Sequence, residues 1–381
     1  MRAISSSTVI TDPYRAGIVL GESLASMSPE VVFLFSSVHY SVPELLEGLH
    51  DALERDDIIV VGNSGDGFYE TSRVSDQGAA VLGLNSDGQV RWRLEHVERL
   101  HEDLEVKVEK LMARLSDAGE SPCLGFLVSD FRVDASRIEA VLREKVGFPV
   151  VGGLAADEYR MESCYLYANR EVISDALVVL AAYGDLHFSI RVANSLQTIG
   201  RSGLIESAEG AVVHRIDGIS AMDFIERETG KPVLQTDWGI LSLLVQDPEV
   251  AEEMRQRSIV PDSSARLGTL GLFGGIARGH SVRVCLAHPE DMVAEVRAIA
   301  EAASASGRVP VAALVVSCSG RKAVLGTHIG HEVSALTEAF AAGLPLAGFP
   351  SLGEIAPLQG ANGYTRNLFH NMTYVLLLIE Q

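Results

Sequence analysis

The stretch SCSGR at residues 317–321 decides how the fold is interpreted, because it ends an apolar run, VAALVV at residues 311–316. A helix-like segment follows, and then GFPSLGE at 348–354 ends a second apolar run. Two apolar strands on either side of a helix indicate a crossover between parallel strands. Ligands of α/β sheets bind beside the carboxyl ends of such strands. These polar strand ends therefore predict both an α/β sheet and a ligand pocket.

The same order of elements occurs three times along the chain. The order α-β-α-β-loop-β fits residues 12–97, 102–190 and 289–381. Each of the first two copies is expected to close with a hairpin, at 79–94 and at 164–183. Duplicated units of this length favour an α/β fold of mixed sheets flanked by helices rather than a solenoid.

Residues 191–288 do not fit the repeated order. They contain a predicted strand, turn and helix at 211–228 and a glycine-rich run at 268–279. The best linker is the stretch at 197–203. We therefore expect two domains, residues 1–198 and 199–381, in agreement with the size at which single cores stop growing.

The composition excludes several classes of function. The 381 residues carry a formal net charge of −20, which disfavours binding to nucleic acid and to anionic membranes. The four cysteines form no C-x-x-C pair, and no apolar run reaches the length of a membrane helix. The N-terminus lacks the apolar segment of a signal peptide. A cytoplasmic protein is expected.

Parallel pairing brings the strand ends of each copy together. In the third copy, residues 317–321 are expected to face residues 350–354. By the same argument Ser129 and Asp130 meet residues 152–157 in the second copy. In the first copy, residues 36–39 meet residues 63–67.

These motifs resemble the FIST family, whose name stands for F-box and intracellular signal transduction proteins. The C-terminal FIST domain is matched by CSGR at 318–321, GFPSLGEIAP at 348–357 and FHNMT at 369–373. The N-terminal FIST domain is matched by PVVGGLAAD at 149–157 and VVGNS at 60–64. The sequence departs from the family pattern at NSGDG (63–67), where the family tends to have Cys-Ser-Thr-x-Gly-Glu, and at Met372, where Gln is common.

The resemblance implies a sensory module that binds small molecules, amino acids among them, and passes a signal on. Family members occur alone, or beside or fused to kinases and cyclic-dinucleotide enzymes, and in eukaryotes they follow an F-box. The stretch before the first predicted strand is too short for an F-box. Some bacterial relatives resemble haem-based nitric-oxide sensors.

Arg321 and Glu354 are expected to share the predicted pocket. A guanidinium and a carboxylate can clamp the carboxylate and the amine of an amino acid. The alternative is a structural ion pair between them that ties the two loops together.

Cys318 is a candidate nucleophile or redox thiol, with His370 as the only base that the predicted fold brings near it. The alternative is that Cys318 is a small buried hydrophobic residue. His370 and Asn371 either line the pocket or hydrogen-bond the loop backbone.

Two further pairs have both a functional and a structural interpretation. Asp130 and Asp157 are either a carboxylate pair for acid–base chemistry or loop-capping residues. His328 and His331 are spaced to bind a metal or haem iron, but no third ligand joins them at a matching spacing.

The sequence thus predicts a ligand-binding sensor without chemistry of its own, with no metal and no cofactor. The alternatives are an enzyme that uses Cys318 or the Asp130/Asp157 pair, and a haem-based nitric-oxide sensor. The expected partners are a small-molecule ligand and a downstream kinase or cyclic-dinucleotide enzyme. The predicted ligand-binding residues are Cys318, Arg321, Ser351, Glu354, His370, Asn371, Gly153 and Asp157.

Overall fold

The computed structural model describes residues 1–40, 42–116, 119–194, 196–248, 250–260, 268–340 and 343–381. These residues form eight α-helices and four sheets, three of which are built to one plan. The fold is α/β, as the repeated order of elements predicts.

Three units of similar element order make up most of the chain. The first unit comprises β1 (Arg2–Thr8), α1 (Pro13–Ala25), β2 (Val31–Ser37), α2 (Val42–Leu53), β3 (Ile59–Gly65), β4 (Phe68–Glu70), β5 (Arg73–Ser75) and β6 (Ala79–Asn85). The second comprises β7 (Val90–Glu98), α3 (Leu104–Ser116), β8 (Leu124–Ser129), α4 (Ala135–Lys145), β9 (Val150–Leu154), β10 (Leu166–Ala168), β11 (Glu171–Ile173) and β12 (Ala176–Gly184).

The third unit is interrupted by an inserted lobe. The unit begins with β13 (Phe188–Ala193). After the lobe it continues with α6 (Pro289–Ser304), β21 (Pro310–Cys318), α7 (Ser319–Leu325), α8 (Gly330–Ala339), β22 (Leu346–Ser351), β23 (Glu354–Gly360), β24 (Gly363–His370) and β25 (Tyr374–Glu380). The lobe comprises β14 (Leu196–Glu209), β15 (Val212–Ile216), β16 (Ile219–Ser220), α5 (Ala221–Thr229), β17 (Leu241–Asp247), β18 (Val250–Ser258), β19 (Leu270–Gly271) and β20 (Ser281–Ala287).

The three units exchange hairpins in a cycle. The sheet of the first unit has the order β1-β6-β2-β3-β10-β11, so its last two strands come from the second unit. The sheet of the second unit ends with β23 and β24 of the third unit, and the sheet of the third unit ends with β4 and β5 of the first. Each sheet is therefore completed by a neighbouring unit.

The predicted hairpins at 79–94 and 164–183 are wrong. Strand β6 pairs with β1 and β2, whereas β7 pairs with β12 in the next sheet. Likewise β10 pairs with the short strand β11, and β12 pairs with β8 and β7. The apolar pattern marks each strand correctly, but all of β6 and nearly all of β12 are buried. A strand buried on both faces does not show which sheet it joins.

The predicted parallel crossovers are confirmed in all three units. Strands β2 and β3, β8 and β9, and β21 and β22 are parallel. Gly62, Gly152 and Gly348 occupy the same register position in the three pairs. A Cβ at Gly62 or Gly152 would lie 1.8 Å from the carbonyl oxygen of the residue opposite, Leu34 or Leu127. These positions exclude a side chain.

A shared core lies where the three sheets face one another. Alternation along β2 directs Phe33 and Phe35 into this core and Leu34 towards α1 and α2. The ring centroid of Phe33 lies 5.0 Å from that of Phe126, and Phe35 stacks on Phe349 at 5.1 Å. Aromatic side chains from all three units therefore meet in one core, which fixes the relative positions of their strand ends.

Candidate ligand-binding cleft

The strand-end loops of the three units contact one another directly. The carboxylate of Asp66, after β3, accepts hydrogen bonds from the Glu158 N–H and, at 2.7 Å, from the Ser319 hydroxyl. The Leu154 N–H donates to the carbonyl of Gly353 at 2.9 Å. Because parallel strands end at a common edge and the sheets share one core, the loops converge in one place.

A cleft of about 850 Å³ lies at this junction. Its walls come from all three units, with acidic, basic, hydroxyl and apolar side chains on the same surface. The lining residues are Val9, Asp66, Val74, Ser75, Asp76, Gln77, Glu158, Tyr159, Ser319, Lys322, Ala323, Gly326, Thr327 and Ile329.

Lys322 supplies a positive charge in the cleft. Its Nζ donates to the carbonyl of Asp66 and lies 2.7 Å from the carboxylate of Asp76, and 20% of its side chain is exposed. Burial raises the pKa of Asp66, although Ser319, the Glu158 N–H and Lys322 oppose this effect. The cleft therefore presents an ammonium group beside carboxylates, which suits a ligand that carries both signs of charge.

Tyr159 lines the cleft beside Glu158. The residue is 51% exposed, yet burial of the hydroxyl and the neighbouring Cys318, Asp66 and Glu354 raise its pKa. The hydroxyl therefore stays protonated. Glu158 and Tyr159 have φ values of 58° and 59°, which are uncommon for residues other than glycine and often mark functional loops.

Arg321 does not form the predicted clamp with Glu354. Its Nε lies 2.8 Å from Glu332, its Nη2 donates to the carbonyl of Met292 at 3.1 Å, and the side chain is fully buried. Glu332 also accepts hydrogen bonds from Ser317 and from Tyr69, which belongs to the hairpin of the first unit. Arg321 thus links α7 to α8 and, through Glu332, to the β4–β5 hairpin of the first unit. Its side chain does not contact the cleft.

Glu354 and Cys318 lie near each other and near the Tyr159 hydroxyl. Burial raises the pKa of Glu354 to about 8, against the opposing hydrogen bonds from Thr373 and Cys318. Its Oε2 accepts from the Thr373 hydroxyl at 2.8 Å, and its Oε1 has no hydrogen-bond partner in the described part of the chain. Burial and the Glu354 carboxyl raise the pKa of Cys318. A thiol held in its protonated form is a poor nucleophile.

The predicted base His370 points elsewhere. Its Nε2 contacts the carbonyl of Ala356 at 3.1 Å, and burial lowers its pKa to about 4. The amide of Asn371 accepts from the Ser258 N–H and donates to the carbonyl of His370. Both side chains therefore bond backbone groups, as one of the two interpretations predicted, but those groups belong to strands β18, β23 and β24 rather than to a loop.

Gly153 and Ser351 bring two loops into close contact. A Cβ at Gly153 would lie 2.4 Å from the Ser351 hydroxyl, which itself donates to the carbonyl of Gly353 at 2.7 Å. These residues set the distance between the second and third units beside the cleft.

Asp130 and Asp157 are both engaged by fixed partners. Arg132 pairs with Asp130 at 2.6 Å, and although burial opposes it, this contact and the Asp175 N–H lower the pKa of Asp130. Asp157 accepts from the N–H groups of three loop residues, Met161, Glu162 and Ser163. Both carboxylates are buried and held by fixed hydrogen-bond donors, which agrees with the loop-capping interpretation.

His328 and His331 line a separate cleft of about 1250 Å³ beside α6 and α8, with ring centroids 5.3 Å apart. Glu290, Asp291 and Glu338 line the same cleft. Arg297 lines this cleft too and pairs with Glu338 at 3.1 Å. Among the described residues, no group of three or more His, Cys, Asp or Glu side chains is arranged to hold a metal ion.

The described residues that line the central cleft include none of the eight that the sequence singled out. Cys318 and Asp157 immediately precede the lining residues Ser319 and Glu158, and Arg321 precedes Lys322. Three of the predicted residues are therefore chain neighbours of lining residues without lining the cleft themselves. Asp66, a lining residue that the sequence analysis did not name, lies in the loop at 63–67. The departure of this loop from the family pattern was the one feature of the sequence that could have pointed to Asp66.

Comparison with known families identifies the fold. Residues 30–219 match the FIST N domain and residues 241–357 match the FIST C domain. The chain therefore belongs to the FIST family, whose domains act in signal transduction. No F-box is found. Within the described ranges, no helix combines the length and apolar character needed to cross a membrane.

The relatives are themselves uncharacterized. A protein of Methanocaldococcus jannaschii is 23% identical over 220 residues, which is 55% of this chain and 43% of the relative. Proteins from two strains of Mycobacterium tuberculosis are 24% identical over 253 residues, 61% of this chain and 63% of each relative. The chain thus spans less than two thirds of the length of these relatives. T. maritima PurL complexed with ATP aligns with 100% of this chain and 71% of its own at 12% identity, but its TM-score of 0.22 carries no argument.

Proposed function

We propose that this chain is a sensory module that binds a small molecule carrying an ammonium and a carboxylate group, such as an amino acid, in the central cleft. The observation that carries the proposal is that one cleft is lined by residues of all three units. A ligand there contacts loops from three parts of the chain at once, so its binding can change how the units sit against one another.

The charges of the cleft match the two ends of such a ligand. Asp66 and Glu158 can receive the ammonium group, and Lys322 can receive the carboxylate. Val74 and Ile329 offer apolar contact for a side chain. This assignment replaces the Arg321/Glu354 clamp, because neither side chain lines the cleft and Arg321 is held by Glu332.

The signalling role is proposed from the family. A kinase or a cyclic-dinucleotide enzyme is the expected downstream partner, since FIST domains act in signal transduction. We place the protein in the cytoplasm. Its four cysteines, all in described ranges, are free thiols, which suits a reducing compartment.

A thermal-shift screen of amino acids, amines and carboxylic acids tests the proposal. A ligand at a hundred times its Kd stabilises the folded state by about 2.7 kcal/mol, which is a measurable rise in Tm. We expect amino acids to give a larger rise than amines or simple acids of the same size. A screen in which no compound of these classes raises the Tm would contradict the proposal.

A further inference from the structure

A second cluster of charged side chains is buried between the inserted lobe and the second unit. Strand β18 of the lobe lies against α4 and β24. The charged residues of the cluster are Glu139, Arg143, Glu253, Arg255, Arg257 and Arg366. Glu139 forms ion pairs with both Arg255 and Arg257, and Glu253 forms ion pairs with both Arg143 and Arg366. Each of these carboxylates is thus shared by two guanidinium groups.

Arg257 in this cluster is fully satisfied. Its Nη2 lies 2.8 Å from Glu139, its Nη1 donates to the carbonyls of Phe369 and Gln256, and its Nε donates to the carbonyl of Gly275. All three guanidinium nitrogens have acceptors, as expected for a side chain that is only 1% exposed.

Arg255 is buried to a similar degree but is not satisfied. It is 6% exposed, and its Nη1 donates to Glu139 at 3.1 Å. Its Nε and Nη2 are buried and have no hydrogen-bond partner among the residues that the structure describes. Leaving two donors of a buried cation without acceptors is costly, so such groups call for a missing partner.

The two unsatisfied nitrogens form one edge of the guanidinium. Elsewhere in this chain the same edge holds a carboxylate through two parallel hydrogen bonds. The examples are Arg55 with Asp57, Arg132 with Asp130, Arg137 with Glu105 and Arg366 with Glu253. This fork recognises the paired oxygens of a carboxylate or a phosphate.

Further unsatisfied nitrogens lie in the same region. Arg143 Nε and His280 Nδ1 are buried and lack partners within the described ranges. Burial lowers the pKa of His280, and the charges of Arg255, Arg143 and Arg257 lower it further against the opposing charge of Asp247, so the imidazole lies beside these guanidinium groups. The ion pairs around Arg255 join four guanidinium groups to three carboxylates, Glu139, Glu253 and Asp247, so positive charge is in excess there although the whole chain carries a net charge of −20.

We propose that the Nε/Nη2 edge of Arg255 binds a small oxyanion, a carboxylate or a phosphate, at the interface between the inserted lobe and the second unit. The site is separate from the central cleft and shares none of its lining residues. Its occupant links β18 to α4 through the guanidinium pair on Glu139.

Anion titrations of the full-length protein test this site. The Tm is measured with increasing acetate, phosphate or chloride for the wild type, for Arg255→Lys and for the control Arg297→Lys, an exposed arginine paired with Glu338. Lysine keeps the positive charge and the general salt response but lacks the planar pair of donors. We expect a saturable rise in wild-type Tm, an apparent Kd weakened about tenfold or more by Arg255→Lys, and no change with Arg297→Lys.

The outcomes distinguish a bound phosphate from a bound carboxylate, and both from a general effect of salt. A response to phosphate only assigns a phosphate group, and a response to acetate only assigns a carboxylate. Equal responses of the wild type and Arg255→Lys would reduce the effect to general salt stabilisation and overturn the proposal. If Arg255→Lys does not fold, calorimetric titration of the wild type in anion-depleted buffer decides. The absence of saturable heat with acetate and with phosphate would overturn the proposal.

Discussion

At the scale of single residues, the sequence placed Arg321 correctly at a strand end but paired it with Glu354 instead of Glu332. The sequence places Arg321 and Glu354 at facing strand ends, and the parallel register of β21 and β22 agrees. The guanidinium instead pairs with the carboxylate of Glu332, eleven residues further along the chain. The spacing from Arg321 to Glu332 crosses the break between α7 and α8, so helical periodicity does not reveal the pair.

Replacing one partner of this buried pair should be strongly destabilising. We expect Arg321→Met to lower the free energy of unfolding by about 3–5 kcal/mol, because Glu332 is then left buried without its counter-charge. The double variant Arg321→Met/Glu332→Gln should lose less than the sum of the two single variants. Urea unfolding measures all three. A single-variant loss below about 1 kcal/mol, as for an exposed pair, would contradict this role.

The pH dependence of stability should report on Glu354. Its pKa in the folded protein is about 8, above the ordinary value of 4.5, so the folded state holds this proton more tightly than the unfolded state. The resulting stabilisation is fully present below pH 4.5 and is lost as the pH rises through 8. Glu354→Gln lacks this dependence.

The measurement is the difference in unfolding free energy between wild type and Glu354→Gln across this pH range. We expect the wild type to lose stability relative to the variant by at most about 1.4 kcal/mol per pH unit. Parallel stability curves for the two proteins would show that the carboxyl titrates near its ordinary value.

At the scale of elements, the glycine in each parallel strand pair is a fixed requirement. A Cβ at Gly152 meets the carbonyl of Leu127 at 1.8 Å, whereas a Cβ at Gly147 meets nothing within 4 Å. We expect Gly152→Ala to cost at least about 1–3 kcal/mol, since the parallel strands β8 and β9 must separate. Gly147→Ala serves as the matched control and should change stability little. Thermal unfolding compares the two variants, and equal Tm values would contradict the argument.

The sequence predicted the strands and their parallel pairing but not the destination of the hairpins. Apolar runs such as VVFLF at 31–35 identify a buried strand, and the helix that follows identifies the crossover. Pairing of β4 with β22 depends on contacts between residues almost three hundred positions apart, Tyr69 and Gly348. Local periodicity carries no information about such contacts. The exchange of hairpins therefore had to be observed in the structure.

At the scale of the whole molecule, the exchanged hairpins make the three units depend on one another. A fragment of residues 1–186 lacks the β23–β24 hairpin that covers β9 and the β22 strand that receives β4. We expect this fragment to be unfolded or to self-associate, because it exposes unpaired strand edges. Size-exclusion chromatography and circular dichroism test this. A monomeric fragment that unfolds cooperatively at the Tm of the full chain would contradict the expectation.

The sequence predicted the sheet edge where the candidate site lies, but not the residues that line it. Strand-end reasoning indicated the edge of the sheets where the cleft lies, but it examined each unit alone. Asp66, Tyr159 and Lys322 come from three different units and meet only because the sheets share one core. The sequence contains no periodicity that relates these three positions to one another.

Lys322 is the residue through which we propose that the central cleft binds a charged small molecule. Isothermal titration of the strongest compound from the screen against wild type, Lys322→Met and the control Lys145→Met tests this claim directly. Lys145 is an exposed lysine of α4 outside the cleft. We expect Lys322→Met to weaken binding about tenfold or more, because hydrogen bonds to charged groups contribute about 1.5–3 kcal/mol, and Lys145→Met to leave the Kd unchanged. Equal Kd values for wild type and Lys322→Met would contradict the account.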